Sequence, residues 1–184
     1  MIFCRSSGRP QPNGFSLIEL MIVIAIIGTL VGIASISYRN LRDRYSSEKQ
    51  IKELFGDLMN ARVRAMQRNR MHFVVIGTGQ YSIYEDTDPA PDGDLSLNVA
   101  LDARILSKTM DPAYPFSAPA TWTASGATAF RFDKKGIVPS EVLKGGDADT
   151  VRISSAASGE YDCIEMSEIK ITLGKWNGTS CVAQ

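Results

Sequence analysis

Hydrophobic residues are distributed so that the chain divides into three parts. The first is an apolar run that begins near Gly14 and includes 17 residues without a formal charge, from Leu20 to Ile36. About 20 apolar residues at 1.5 Å rise cross a hydrocarbon core of roughly 30 Å, so the run predicts a membrane-spanning helix. One acid, Glu19, stands at its beginning. Because a carboxylate inside hydrocarbon costs about 3 kcal/mol on insertion scales, Glu19 is expected to have a partner or a purpose.

The pattern becomes one-sided after Ser37. The stretch from Tyr38 to Gln67 contains no proline. Apolar side chains recur at helical spacing between charged ones, namely Ile51, Leu54, Phe55, Leu58, Met59 and Met66. One continuous helix is therefore predicted from Ser16 to about Arg68, ~80 Å long at 1.5 Å per residue. Its amphipathic half, residues 38–68, is expected to pack on a folded domain.

The third part, residues 69–184, has the pattern of a β-rich domain. Alternating, β-branched and aromatic runs separated by Gly, Pro and Asp predict five or more strands. Two hairpins are predicted, His72–Ile76 with Gln80–Tyr84 and Ala127–Asp133 with Gly136–Pro139. Single strands are predicted at Val151–Ser155, Cys163–Ser167 and Glu168–Leu173, and the Pro- and Asp-rich stretch 86–114 is predicted to be a variable surface loop. The predicted fold class is α+β, a long helix packed on an antiparallel sheet.

Composition agrees with one globular domain after the span. Hydrophobic residues make up 44% of the chain and charged residues 22%, which excludes a disordered chain or a membrane protein with many spans. The 20 basic and 20 acidic residues balance, so no overall charge favours nucleic acid or anionic lipid as a partner.

The residues around Glu19 carry a resemblance. The segment Gly14, Phe15, Ser16, Leu17, Ile18, Glu19, Leu20 resembles the N-terminal signal of type IV prepilins and pseudopilins. The resemblance implies that residues 1–14 are a leader, cleaved by an inner-membrane prepilin peptidase between Gly14 and Phe15, and that the new Phe15 amine is methylated. It also implies that Glu19 meets the Phe15 amine of a neighbouring subunit, which offsets the burial of both charges. The alternative is an ordinary secretory signal, but residues 5–13 are polar up to Gly14, with no basic region directly before the apolar core.

The same resemblance implies an organisation and a set of partners. Residues 15–37 would lie in the inner membrane and later in a filament core, with the β-rich domain in the periplasm or outside the cell. Basic residues that follow the span, beginning with Arg39, would favour a cytoplasmic domain by the positive-inside rule, but the prepilin-like signal favours the opposite orientation. The implied partners are prepilin peptidase, other pilin or pseudopilin subunits and an inner-membrane assembly platform, and no cofactor is expected.

A second, shorter resemblance concerns the subtype. The segments Phe130–Gly136 and Gly174–Cys181 are similar to the GspH/FimT-like branch, which comprises H-type pseudopilins of type II secretion and related minor pilins. Major pilins commonly have a kinking proline near the position of Ile36 and Ser37, and this chain has none. The expected role is a minor pilin or pseudopilin, and the sequence does not separate a type IV pilus from a secretion pseudopilus.

Three cysteines are present, and Cys4 would leave with the leader. The remaining pair, Cys163 and Cys181, favours a disulfide, which requires an oxidising compartment such as a periplasm. Two reduced thiols remain an alternative. A metal site is disfavoured because His72 is the only histidine and no second cysteine pair supports it.

Two charged clusters suggest further sites. Asp86, Asp88, Asp92 and Asp94 carry the oxygen ligands that Ca²⁺ prefers, but the spacing of an EF-hand fails, which favours a solvated turn. Arg62, Arg64, Arg68 and Arg70 could contact phosphates in a DNA-binding minor pilin. They spread over more than one helix face, however, and cations near a helix C-terminus normally complement the dipole.

An enzyme is the alternative from a different class, in the form of a membrane-anchored periplasmic protein. The sequence contains no nucleophile elbow, phosphate loop or zinc motif. His72 lies at the start of a predicted strand, where a structural histidine is the common case. The sequence therefore favours a structural subunit.

Overall fold

A computed structural model describes residues 14–77, 79–90, 93–124, 129–143, 149–154 and 159–184. Within this part of the chain there are two compact units, of which the first ends at Asn40 and the second runs from Leu41 to Gln184. The architecture is α+β and pilin-like, because one long N-terminal helix precedes antiparallel sheets. This confirms the predicted fold class.

Helix α1 spans Leu17–Arg68, and its 52 residues are continuous as predicted. It ends where Asn69 adopts a positive φ of 53°, a common way to stop a helix. In the second unit the buried apolar residues of α1 recur every three or four positions, at Ile51, Leu54, Leu58, Ala61 and Ala65. The predicted apolar face is therefore partly wrong. Met59 and Met66 are exposed, because the small side chains of Ala61 and Ala65 occupy the buried positions near the helix end.

Nine strands and one short helix are described after α1. In chain order they are β1 (His72–Ile76), β2 (Gln80–Glu85), β3 (Ala103–Thr109), β4 (Phe116–Ser117), α2 (Ala120–Thr123), β5 (Arg131–Phe132), β6 (Thr150–Ile153), β7 (Cys163–Met166), β8 (Ile171–Trp176) and β9 (Cys181–Ala183). They form a four-stranded sheet of order β3-β2-β1-β5 and a five-stranded sheet of order β4-β6-β7-β8-β9. All described pairings are antiparallel.

The main core forms between α1 and residues from both sheets. Leu54 and Leu58 of the helix share it with Val74 of the first sheet and Ile164 of the second. Trp122 of α2 is buried in the same core, where its ring stacks on Phe130 at a centroid distance of 3.7 Å. The main core therefore joins α1 to both sheets, and a second, smaller hydrophobic cluster forms around Phe73 and Leu97.

Two predictions about strands are wrong. The stretch 86–114 is not all loop, because β3 lies within it and pairs with β2 from Gln80↔Thr109 to Glu85↔Ala103. The predicted hairpin 127–139 does not form either. Among the described residues of this stretch, 129–139, the one strand is Arg131–Phe132, which pairs with His72 and Phe73 of β1. The predicted residues 127, 128 and 155 lie outside the described part of the chain.

Candidate processing, anchoring and assembly sites

The segment around Gly14 and Phe15 is open to other proteins. Phe15 exposes 86% of its surface and lies just before α1. The first helical turn is already closed at Ser16, whose carbonyl accepts a hydrogen bond from the Leu20 N–H at 3.2 Å. Among the described residues nothing lies within 4 Å of a β-carbon built on Gly14. Gly14 and Phe15 are therefore not packed against any other described residue.

Glu19 lies in the first turn of α1, four residues after Phe15. A carboxylate at this end of a helix interacts favourably with the backbone dipole. The side chain is exposed and has no ion pair with the described residues.

The apolar half of α1 is exposed in the part of the chain that the structure describes. Every described side chain from Phe15 to Ser35 is exposed, including Ile22, Ile27 and Ile33. Among the described helices, α1 is the one long and apolar enough to cross a membrane. A contiguous apolar surface of this size requires lipid or protein around it. The segment fits an inner-membrane anchor.

Residues 9–35 match the family model for the prokaryotic N-terminal methylation motif. Neither the curated proteins nor the solved structures contain a match to the chain. The matched motif indicates a type IV pilin-like substrate of prepilin peptidase. It also implies assembly with other pilins, and it favours a structural role over a catalytic one. The match covers the signal and the apolar helix, so it does not extend to the β-rich domain.

Cys163 and Cys181 form a disulfide, with their Cα atoms 5.9 Å apart. They lie on β7 and β9, and β8 runs between these two strands in the sheet. On β8, Gly174 is paired with Cys163 on one side and with Ala183 on the other. A β-carbon on Gly174 would lie 3.0 Å from Cys181 Sγ, so the bond crosses β8 where that strand has no side chain.

The acidic segment after β2 is organised by backbone hydrogen bonds rather than as a ring of ligands. Asp86 is buried, and its Oδ2 accepts a hydrogen bond from the Leu95 N–H at 3.0 Å. Gly93 has a positive φ of 78° and packs so closely on this carboxylate that a β-carbon would overlap it. Burial raises the pKa of the Asp86 carboxyl. The loop therefore packs around Asp86. Burial makes this carboxyl easier to protonate than a carboxyl on the protein surface.

The other predicted acidic residues are not brought together with Asp86. Asp94 is exposed and caps its own turn by accepting a hydrogen bond from the Ser96 N–H at 2.9 Å. Asp88 is half-buried, and Asp92 lies outside the described residues. The described part of the chain contains no group of three His, Cys, Asp or Glu side chains that could hold a metal ion.

Asp102 is an organising residue that the sequence analysis did not identify. Its Oδ1 accepts hydrogen bonds from the N–H groups of Thr87 at 2.9 Å and Asp88 at 3.2 Å. Its Oδ2 accepts another from the Asn98 N–H at 2.7 Å. The sequence contains one indication of this role, a lone aspartate directly before a strand. Asp side chains commonly accept hydrogen bonds from nearby backbone N–H groups.

The four arginines of the predicted basic cluster have different surroundings. Arg70 is 3.6 Å from the carboxylate of Glu85, and Arg62 is half-buried beside the turn at Gly136. Arg64 and Arg68 are exposed. The cluster is thus divided between structural contacts and open surface.

His72 is fully buried on β1, with Nδ1 3.3 Å from the Arg70 carbonyl oxygen. Burial lowers the pKa of its imidazole. Nδ1 thus has a backbone partner, whereas Nε2 is buried without a hydrogen-bond partner among the described residues.

A polar cluster between α1 and the first sheet was also missed. The Tyr81 hydroxyl donates a hydrogen bond to Asp57 Oδ2 at 2.5 Å, and Lys108 Nζ lies 2.7 Å from the same oxygen. Lys108 also binds Glu53 at 2.8 Å. Burial, and then the hydrogen bond to Asp57, raise the pKa of Tyr81. These residues are up to 55 positions apart, so no local pattern could reveal the contact.

Proposed function

We propose that the chain is a structural subunit, a minor pilin or pseudopilin, of a type IV pilus or a type II secretion pseudopilus. The observation that carries the proposal is the methylation motif, which lies at the start of a long helix whose apolar half is uncovered. An uncovered apolar helix is stable in lipid, and the same surface can pack against other helices in a filament. The subunit is stored in the inner membrane and then extracted into the filament.

In this proposal each residue of the N-terminal segment has one role. Prepilin peptidase cuts between Gly14 and Phe15, where the chain is open, and the Phe15 amine is methylated. Glu19 of one subunit pairs with the Phe15 amine of its neighbour during assembly. Because both charges are costly when buried alone, this pairing sets the register of the incoming subunit.

The second unit lies on the outer side of the membrane. The disulfide between Cys163 and Cys181 supports this orientation, because disulfides persist in oxidising compartments such as the periplasm. The partners are the peptidase, other pilin or pseudopilin subunits and the inner-membrane assembly platform.

Mass spectrometry of the N-terminal peptide tests the proposal. Sheared surface filaments and inner membranes of the native cell are examined in parallel. A peptide that begins at methylated Phe15 is expected, and its presence in the sheared fraction assigns the chain to a pilus. The same peptide confined to the membrane assigns it to a secretion pseudopilus. An intact leader in both fractions would overturn the proposed function.

A further inference from the structure

The turn between β8 and β9 is built around the side chain of one asparagine. Asn177, Gly178, Thr179 and Ser180 form this turn, and all four are exposed. The Asn177 Oδ1 accepts hydrogen bonds from the N–H groups of Thr179 and Ser180, both at 2.8 Å. Its Nδ2 donates a hydrogen bond to the Ser180 Oγ at 3.2 Å. The Asn177 amide is therefore held in one orientation although it lies on the surface.

The next residue places an unhindered backbone nitrogen directly after this amide. Gly178 adopts a positive φ of 104°, a conformation that glycine reaches without steric cost. Among the described residues nothing lies within 4 Å of a β-carbon built on it. In the same part of the chain the Gly178 N–H donates no hydrogen bond. This N–H is therefore open to solvent base.

An asparagine side chain and the nitrogen of the following residue can react with each other. The Gly178 nitrogen loses its proton to solvent base and bonds to the Asn177 Cγ, and Oδ1 takes up the negative charge. The Cγ–Nδ2 bond then breaks, and ammonia leaves with a proton from water. Water opens the resulting succinimide ring at either carbonyl, which gives aspartate or isoaspartate. Because both reacting groups belong to one turn, the step is intramolecular and needs only water.

The hydrogen bonds of the turn favour this reaction. Two N–H groups at 2.8 Å from a carbonyl oxygen have the geometry that stabilises the oxyanion of a tetrahedral intermediate. The Ser180 hydroxyl contacts Nδ2, the nitrogen that must leave. The turn therefore stabilises the charge that develops when Gly178 attacks.

Asn98 provides a comparison within the same molecule. It is exposed, and its Oδ1 accepts a hydrogen bond from the Ala100 N–H at 3.2 Å, longer than either bond to Asn177 Oδ1. The residue after it is the β-branched Val99, which hinders attack by its own nitrogen. In residues 15–184, Asn177 is the one asparagine that precedes a glycine.

We propose that Asn177 is a site of spontaneous deamidation in the folded protein, through a succinimide formed with Gly178. The reaction adds a negative charge to the turn, and the isoaspartate product also adds one methylene to the main chain between β8 and β9. The disulfide from Cys181 to Cys163 keeps β9 attached after the change. Because hydrolysis of the ring does not restore the amide, the converted fraction grows with the age of the folded chain. The inference holds for a pilus subunit and for a pseudopilus subunit alike.

Peptide mass spectrometry of the full chain in detergent tests the site. The folded protein is incubated at neutral pH and physiological temperature, and samples taken at intervals give the conversion of Asn177 and Asn98 in the same molecules. Asn177 is expected to react at least about tenfold faster, because it has the stronger oxyanion donors and the unhindered nitrogen. Equal rates at the two residues, or no conversion of Asn177, would overturn the proposal.

Glycine variants test the role of the Gly178 nitrogen. Gly178→Ala adds a β-carbon beside the nitrogen and strains the positive φ, so the rate at Asn177 should fall at least about tenfold. Gly79→Ala is the matched control, since Gly79 also has a positive φ, of 81°, with nothing within 4 Å among the described residues. It should leave the rate at Asn177 unchanged. An unchanged rate in Gly178→Ala would contradict the attack by this nitrogen, and thiol labelling of Cys163 and Cys181 controls for folding.

The product and the pH dependence give independent readouts. Enzymatic methylation of isoaspartate carboxyls should label the peptide that contains Asn177, because a succinimide opens to isoaspartate as well as aspartate. Aspartate without isoaspartate would mean direct hydrolysis of the side-chain amide and would refute the succinimide. The rate should also rise with pH, because the Gly178 N–H must lose its proton before attack. A rate that falls toward alkaline pH would refute this step.

Discussion

Replacing Gly174 by alanine is the sharpest test of how the second sheet is held together. The added β-carbon would lie 2.8 Å from the Val182 carbonyl carbon, 3.0 Å from Cys181 Sγ and closer still to the Val182 carbonyl oxygen. Two of these atoms belong to the backbone of β9, so no side-chain rotation can make room. Strand β9 must therefore move away from β8 and carry Cys181 with it.

The magnitude follows from two contributions. Overpacking of this kind typically costs about 1–3 kcal/mol of folding free energy. If β9 moves far enough to prevent the bond to Cys163, the unfolded chain also loses a constraint between residues 18 positions apart. On the loop-entropy model that constraint is worth about 3 kcal/mol. Gly174→Ala should therefore destabilise the protein by about 1–3 kcal/mol with the disulfide intact and by about 4–6 kcal/mol without it.

Urea unfolding of the full chain in detergent, followed by tryptophan fluorescence, measures the loss, and alkylation of free thiols reports the bond. Gly77→Ala is the matched control, because among the described residues a β-carbon there would meet only the Gln80 carbonyl oxygen, at an ordinary 3.5 Å. Gly174→Ala in a chain that already lacks both cysteines isolates the steric contribution. If Gly174→Ala is as stable as the wild type and contains no free thiol, the reasoning is refuted.

Three further predictions concern the N-terminal segment and the buried histidine. Gly14→Leu should block leader cleavage, because a bulky side chain replaces the open residue, and a product of mature size on an immunoblot would contradict the cut site. Glu19→Ala should be cleaved normally but recovered poorly in sheared filaments, and normal incorporation would exclude the pairing with the Phe15 amine. Burial lowers the pKa of His72, so below about pH 6.5 the unfolded chain binds a proton that the folded protein does not. Stability should then fall as the pH drops from about 6.5 toward the lowered pKa. The measurement is the urea concentration at the unfolding midpoint as a function of pH, for the wild type and for His72→Gln. Equal dependence on pH in the two proteins would rule the prediction out.

Local patterns were sufficient for the helix and the first hairpin. An uninterrupted apolar and then amphipathic run predicts α1, and two short runs around Gly77 and Gly79 predict β1 and β2 with their observed pairing. The motif at Gly14, Phe15 and Glu19 was recognisable because its residues are adjacent in sequence. These features depend on neighbours along the chain, and the sequence displays such neighbours directly.

Sequence patterns could not predict which elements pair across long separations in the chain. Strand β5 pairs with β1 across about 60 residues, and only two residues of each take part. Strand β3 carries Arg104 and Lys108 and resembles a surface loop in composition. It is held to α1 by the contact between Lys108 and Asp57, residues that nothing in the sequence relates to each other.

In the loop that follows β2, the residues that fix the backbone are different from the residues that form the exposed surface. Buried Asp86 and Asp102 bind backbone N–H groups, which every residue except proline possesses, so the loop path does not depend on which side chains point outward. Leu95, Val99 and Leu101 can therefore be exchanged at little cost to folding, with Leu95 also open to glycine or asparagine because of its positive φ. Variation at these three positions would change the surface that the loop exposes while the fold of the domain remains the same.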